Sequence, residues 1–159
     1  MPLRDPGPRV VRRRRGGYEL RLTQPERQML RALPGQLRDL LGTDDPSLMR
    51  LFPPAHADDP ELNAEYREMV GDELRAKHLE SLRVMEATVE ERTLDEDQLG
   101  AWLGALNDLR LVLGTQLDVT EDLEDVPDDD PRAPAFQLYR YLTWLQSQVV
   151  DALAAGLGG

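Results

Sequence analysis

Residues 59–89, DPELNAEYREMVGDELRAKHLESLRVMEATV, decide the fold. An acidic residue, a first-turn Pro and a Glu open the segment, all suited to the positive end of a helix dipole. Leu62, Tyr66, Met69, Val70, Leu74, His78, Leu82, Met85 and Val89 then recur every three or four positions, the period of an amphipathic helix. Gly71 costs such a helix only about 1 kcal/mol. A helix from 60 to 92 would run about 50 Å, against a gyration radius of about 15 Å for a compact chain of this size. It is therefore expected to bend, break or pair with another molecule.

Downstream, Thr93-Leu-Asp-Glu96 reads as a capping box, and Leu99, Trp102, Leu103, Leu106, Leu109, Leu113 and Leu117 mark the next helix. Residues 118–131 read as a loop, since eight of the fourteen are acidic and Pro127 and Pro131 block regular structure. A final helix from Ala135 to Leu153 presents Leu138, Leu142, Leu145, Val149 and Leu153, and the glycines of 156–159 predict a frayed tail. Upstream, Asp45-Pro46 starts a short helix through Leu51 that Pro53-Pro54 ends. Thr23-Gln-Pro-Glu26 is a capping box before Leu30, Leu33, Leu37, Leu40 and Leu41, with a kink or a split expected at Pro34-Gly35. Residues 10–23 read as a β-hairpin with a two-residue turn at Gly16-Gly17 and with Tyr18, Leu20 and Leu22 facing inward. Residues 1–9, with three Pro and one Gly, read as a disordered arm. The fold class is mainly α: one domain over 10–155, a bundle of about five helices with an N-terminal β-hairpin.

Composition agrees with one core. In 159 residues 40% are apolar but only 5% aromatic, so Leu must fill the interior. No apolar run approaches a membrane span, and the Arg-rich start lacks the apolar stretch of a secretory signal, so a cytoplasmic protein with no membrane contact is expected. The absence of Cys excludes disulfides, thiolate metal sites, a cysteine nucleophile and thiol redox switching.

Charge is segregated. Residues 1–42 carry ten Arg against four carboxylates, a net +6, and the remainder carries −17, within an overall −11. Arg12, Arg13, Arg14 and Arg15 are the strongest local feature, because adjacent guanidinium groups fork onto phosphates or carboxylates. Three readings stay open for them: nucleic acid, an acidic protein partner, or an arm that is solvated or folded onto its own acidic loop. The anionic body opposes a polyanion at long range.

Other chemistry is thin. Asp118, Thr120 and Asp122 mimic the start of a calcium loop, but Leu123 stands where the sharp bend needs Gly, and no Glu closes the twelfth position. His56 and His78 lack a second His at metal spacing, so no metal is expected. Ser47, Ser81 and Ser147 lie outside any nucleophile elbow, and no phosphate-binding Gly loop occurs, so no cofactor is expected. Asn107 and Arg110 share one side of a helix, as a polar network or a seat for an acidic partner. Trp102 and Trp144 read as core.

Three stretches together resemble the actinobacterial AosR-type family. They are Pro46-Ser-Leu-Met-Arg-Leu-Phe-Pro-Pro-Ala-His56 with Asp58-Asp59, Trp102-Leu-Gly-Ala-Leu-Asn-Asp-Leu-Arg-Leu-Val-Leu-Gly114, and Leu138-Tyr-Arg-Tyr-Leu142 with Leu145-Gln146. The resemblance spans Arg9 to Leu153, mostly through packing residues. It implies an otherwise uncharacterised domain often encoded beside the protease adaptor ClpS, acting in oxidative-stress transcription with a sigma factor or transcription complex as partner. Without Cys this chain cannot sense oxidants by disulfide formation; Met29, Met49, Met69 and Met85 are the oxidisable alternative. The expected function is a non-enzymatic regulatory or adaptor protein that docks another protein through Arg12 to Arg15 and an adjoining helical face. The alternative is a regulator that binds DNA directly, as a dimer that gathers two arms. No constellation of base, nucleophile or metal ligands favours an enzyme.

Overall fold

The computed structural model describes residues 7–52, 60–119 and 127–157. His56, the Pro53-Pro54 stop and the centre of the acidic loop lie outside the described residues, as do residues 1–6 and the last two glycines. Strands β1 (Val10–Arg12) and β2 (Tyr18–Leu20) form the expected hairpin, and helix α1 (Gln24–Leu41) follows. A 3-10 helix (Pro46–Leu51) leads to α2 (Pro60–Thr88), strand β3 (Thr93–Leu94), α3 (Glu96–Gln116) and α4 (Ala133–Leu157). The architecture is mainly helical, with five helices among the described residues and an N-terminal antiparallel sheet of order β1-β2-β3.

Cross-helix contacts set the packing. Arg27 reaches Val89 while Arg75 reaches Leu41, so α1 and α2 run antiparallel. Thr88 meets Trp102 and His78 meets Asp108, which makes α2 antiparallel to α3. Asn107 meets Gln146, and a Cβ on Gly114 would lie 2.9 Å from the Tyr139 ring, which makes α3 antiparallel to α4. The sheet therefore caps the pole where α1 and α3 begin and α2 and α4 end. The core fills with Leu30, Leu82, Met85, Leu106, Leu142 and Leu145 around the fully buried Trp102, whose indole N–H donates to Thr88 at 2.7 Å.

Local signals explain the ends of the elements. Thr23 and Glu26 make the predicted capping box, satisfying two backbone donors at the start of α1. Asp45 caps the 3-10 helix through Ser47 N–H. Four expectations change or narrow. The helix after β3 is capped by Asp95 and Gln98, because Thr93 and Leu94 are taken up as a third strand against β2. Of the kink or split expected at Pro34-Gly35, the split does not occur: α1 is one helix with Pro34 buried inside it. Helix α4 extends to Leu157, past the tail expected to fray, since Gly156 packs so closely on the Tyr18 hydroxyl that a Cβ there would lie 2.5 Å from it. The hairpin turn is longer than two residues: Arg13 N–H bonds Gly17 O at 2.9 Å and Gly16 N–H bonds Arg13 O at 3.2 Å, placing Arg14 and Arg15 at the corner. Gly16 and Gly17 do supply positive φ, +100° and +77°, as a bulged hairpin loop requires.

α2 is one unbroken helix of 29 residues. Leu82, Met85 and Val89 are buried, but no described side chain before Leu82 is, and Met69 is 55% exposed. The apolar stripe of the sequence outruns the core it serves.

Candidate cationic hairpin and buried ion clusters

The hairpin is a rigid mount. Val10, Tyr18 and Leu20 bury its inner face, and β2 is held on both sides by β1 and β3. Arg12 donates to the carbonyl of Ala155 at 3.2 Å, at the negative end of the α4 dipole, where a cation is favoured. Arg12, Arg13, Arg14 and Arg15 are all exposed, and among the described residues none closes an ion pair with a carboxylate. Glu19, on β2, is held below the usual carboxylate range by its hydrogen bond to Arg21, with Arg13 a smaller, longer-range influence. Arg12, Arg13 and Arg14 line a surface hollow of about 280 Å³.

Pairing of the hairpin with Asp128, Asp129 and Asp130 is geometrically blocked. Asp128, Asp129 and Asp130 stand just before α4, whereas the hairpin sits beside its far end at Ala155. Between Ala133 and Ala155 the helix rises about 33 Å, roughly three screening lengths at 0.1 M salt. Asp130, moreover, is already paired with Arg132.

Asn107 and Arg110 do meet. Arg110 donates to the Asn107 side-chain oxygen at 3.2 Å, and Gln146 reaches the same oxygen at 3.4 Å, tying α3 to α4. Arg110 Nε is buried without a hydrogen-bond partner among the described residues. Trp144, expected in the core, is 37% exposed and carries the Arg9 guanidinium over its ring at 5.1 Å.

Three buried ionic clusters escaped the sequence reading. Arg9, assigned there to the disordered arm, is pinned: its backbone N–H donates to Gln148 at 3.0 Å and its Nε pairs with Glu26 at 2.8 Å, both side chains being 11% exposed. Burial pushes the Glu26 carboxyl upward, but hydrogen bonds from Tyr141, Thr23 and Arg9 outweigh it and leave it below the ordinary value. Burial and the same Glu26 contact drive the Tyr141 phenol upward. Arg27 is buried and donates to the carbonyls of Val89, Glu91 and Leu20, so its charge is spent on the end of α2 and on β2. His78 Nδ1 lies 2.6 Å from buried Asp108 and Nε2 lies 3.1 Å from Leu51 O. With an acceptor at each nitrogen the imidazolium is favoured. The Asp108 hydrogen bond raises the His78 pKa against the opposing effect of burial. No spacing motif announces these clusters, because each joins residues on different elements of the fold.

Among the described residues no three His, Asp or Glu converge as a metal site requires, and no helix is long and apolar enough to cross a membrane. An apolar groove of about 230 Å³ opens between α1, α3 and α4, floored by Leu37, Leu109 and Leu113 and rimmed by Gln36 and Gln116. Of the oxidisable methionines, Met85 is sealed in the core, whereas Met49 and Met69 are 65% and 55% exposed.

Fold and site together define a sheet-capped antiparallel helical bundle that carries at one pole a cationic loop to which no described carboxylate is paired. The chain belongs to the family described as Domain of unknown function (DUF2017), whose model matches residues 8–153. It is similar to the putative oxidative stress regulator AosR of Mycobacterium leprae, 32% identical over 130 residues, which are 70% of this chain and 60% of that protein. It is likewise 32% identical over 127 residues to the oxidative stress regulator AosR of Mycobacterium bovis and of Mycobacterium tuberculosis, covering 69% of this chain and 58% of each. The chain thus spans about 60% of the length of these relatives. No solved structure matches. The resemblance drawn from the three sequence stretches agrees with these matches.

Proposed function

We propose that this protein is a cytoplasmic, non-enzymatic regulatory protein that works by docking a protein partner through the Arg12 to Arg15 hairpin. One observation carries the reading: four exposed guanidinium groups stand on a rigid mount, with no described carboxylate paired to them and the described acidic residues of the loop at the opposite pole. The names of the mycobacterial relatives support a regulatory role in oxidative stress, and a component of the transcription machinery, such as a sigma factor, is the partner that role suggests.

Direct DNA binding, by a dimer presenting two hairpins, is the second reading, favoured by the same four arginines. Against it stand Glu19 on β2 and Asp95, Glu96 and Asp97 just after β3, which would meet a duplex carrying a charge every ~1.7 Å. Crosslinking in cell extract followed by mass spectrometry tests the first reading. Changing Arg12 to Arg15 together to Ser should abolish the crosslinks of the intact protein, and their persistence removes the hairpin from the interface. A gel-shift series in salt tests the second: phosphate contact must weaken steeply as salt rises.

A further inference from the structure

We propose that the hollow formed by Arg12, Arg13 and Arg14 is a binding site for a small phosphate-class anion bearing at least two phosphoryl groups, and that its occupancy competes with the partner for the hairpin. The competition rests on the docking role proposed above; the anion site itself does not.

Among the described residues the hollow is lined by these three arginines, and it is an open surface depression of about 280 Å³. A carboxylate satisfies one guanidinium fork, whereas a phosphoryl group offers three oxygens and can accept from several forks at once. Linked phosphoryl groups therefore fit a wall of three guanidiniums better than a single acidic side chain does. The three arginines are consecutive in the chain and line one hollow. Two unit charges about 6 Å apart repel by roughly 0.7 kcal/mol even at the dielectric of water, so a multivalent anion relieves several such terms at once.

The backbone fixes the shape of the loop. Gly16 and Gly17 adopt positive φ, +100° and +77°, and the Gly16 N–H closes the turn on Arg13 O at 3.2 Å, so the arginine side chains supply the donors. The loop is also preorganised, which lowers the ordering cost of binding. β2 pairs with β3, Arg12 is fastened to Ala155 O at 3.2 Å, and Gly17 approaches Leu94 so closely that a Cβ would lie 3.1 Å from its carbonyl oxygen. A flexible tetra-arginine tail would hold only a diffuse counterion cloud; this one presents its charge as a surface.

The test uses the full chain alone with inorganic pyrophosphate as probe, in buffer of 0.15 M ionic strength, against sodium chloride matched for ionic strength. The Gly16 and Gly17 amide resonances should shift saturably at submillimolar pyrophosphate, and the melting temperature should rise with concentration as binding to the folded state demands. The double variant R13S/R14S should weaken pyrophosphate binding at least ~10-fold, a loss of about 1.4 kcal/mol. Because those side chains are exposed the variant should fold, and unchanged amide dispersion elsewhere checks this. Shifts no larger than chloride produces, or shifts that survive R13S/R14S, overturn the site. Tighter binding of the same loop to a phosphate-matched DNA duplex overturns the small-ligand assignment and favours the DNA reading. Failure here leaves the extract crosslinks intact, whereas failure of the docking reading removes those crosslinks while the pyrophosphate titration stands.

Discussion

Replacing Asp108 by Asn keeps the shape of the side chain and one acceptor but removes the charge that faces His78. The two groups are 2.6 Å apart with side chains 6% and 15% exposed, so solvent screens little of their attraction. A hydrogen bond between ionised partners contributes about 1.5–3 kcal/mol, and the expected loss at pH 6 lies in that range. The loss should depend on pH with a definite sign. The His78 pKa is raised on folding, chiefly by Asp108, so its contribution is fully present below the unfolded value near 6.5 and fades as pH rises through the folded value. Each unit of elevation is worth about 1.4 kcal/mol. Urea unfolding of the wild type and D108N at half-unit steps from pH 5.5 to 9.5 should show the two stability curves converging toward the alkaline end. The 3-10 helix should loosen first, because Leu51 O accepts from the other ring nitrogen. A deficit that stays constant across that range, or none at pH 6, would refute the ionic role of the pair.

Gly156→Ala should lower the melting temperature despite gaining roughly 1 kcal/mol in helix propensity, since its Cβ would lie 2.5 Å from the Tyr18 hydroxyl; adding Tyr18→Phe should recover most of the loss. Arg27→Met preserves bulk but strips three carbonyls of their donor, those of Val89 and Leu20 in buried bonds, and chemical denaturation should record a cost of about 2–4 kcal/mol. Tyr141→Phe leaves Glu26 without its 2.5 Å phenol bond, so the Glu26 carboxyl, followed by NMR titration, should titrate at higher pH than in the wild type. An unchanged Glu26 titration would mean that the phenol does not stabilise the carboxylate.

Most of the fold could be read locally. Thr23 and Glu26 announce the start of α1, Asp45-Pro46 the 3-10 helix, and Gly16-Gly17 a turn between a basic strand and the alternating Tyr18, Leu20 and Leu22. Each is a signal carried by neighbours in the chain. The strand pairing of Thr93 and Leu94 was not legible, since two residues have no periodicity and only β2, more than seventy positions away, makes them a strand. At Pro34 the sequence left a kink or a split open, and the packed structure keeps α1 as one helix.

For the site, the arginine run was plain in the sequence, and so was its excess of charge. Its separation from Asp128, Asp129 and Asp130 was not, because that follows from the antiparallel order of α3 and α4, which sends these three to one pole and the hairpin to the other. The same holds for the arginines that looked equivalent on paper: Arg9 and Arg27 are consumed inside the protein, while Arg13, Arg14 and Arg15 face water. Periodicity and capping act over a few residues, so the sequence alone determined the helices, their apolar faces and the location of surplus charge. Which charges are neutralised depends on distances between elements, and those were decided only when the helices packed.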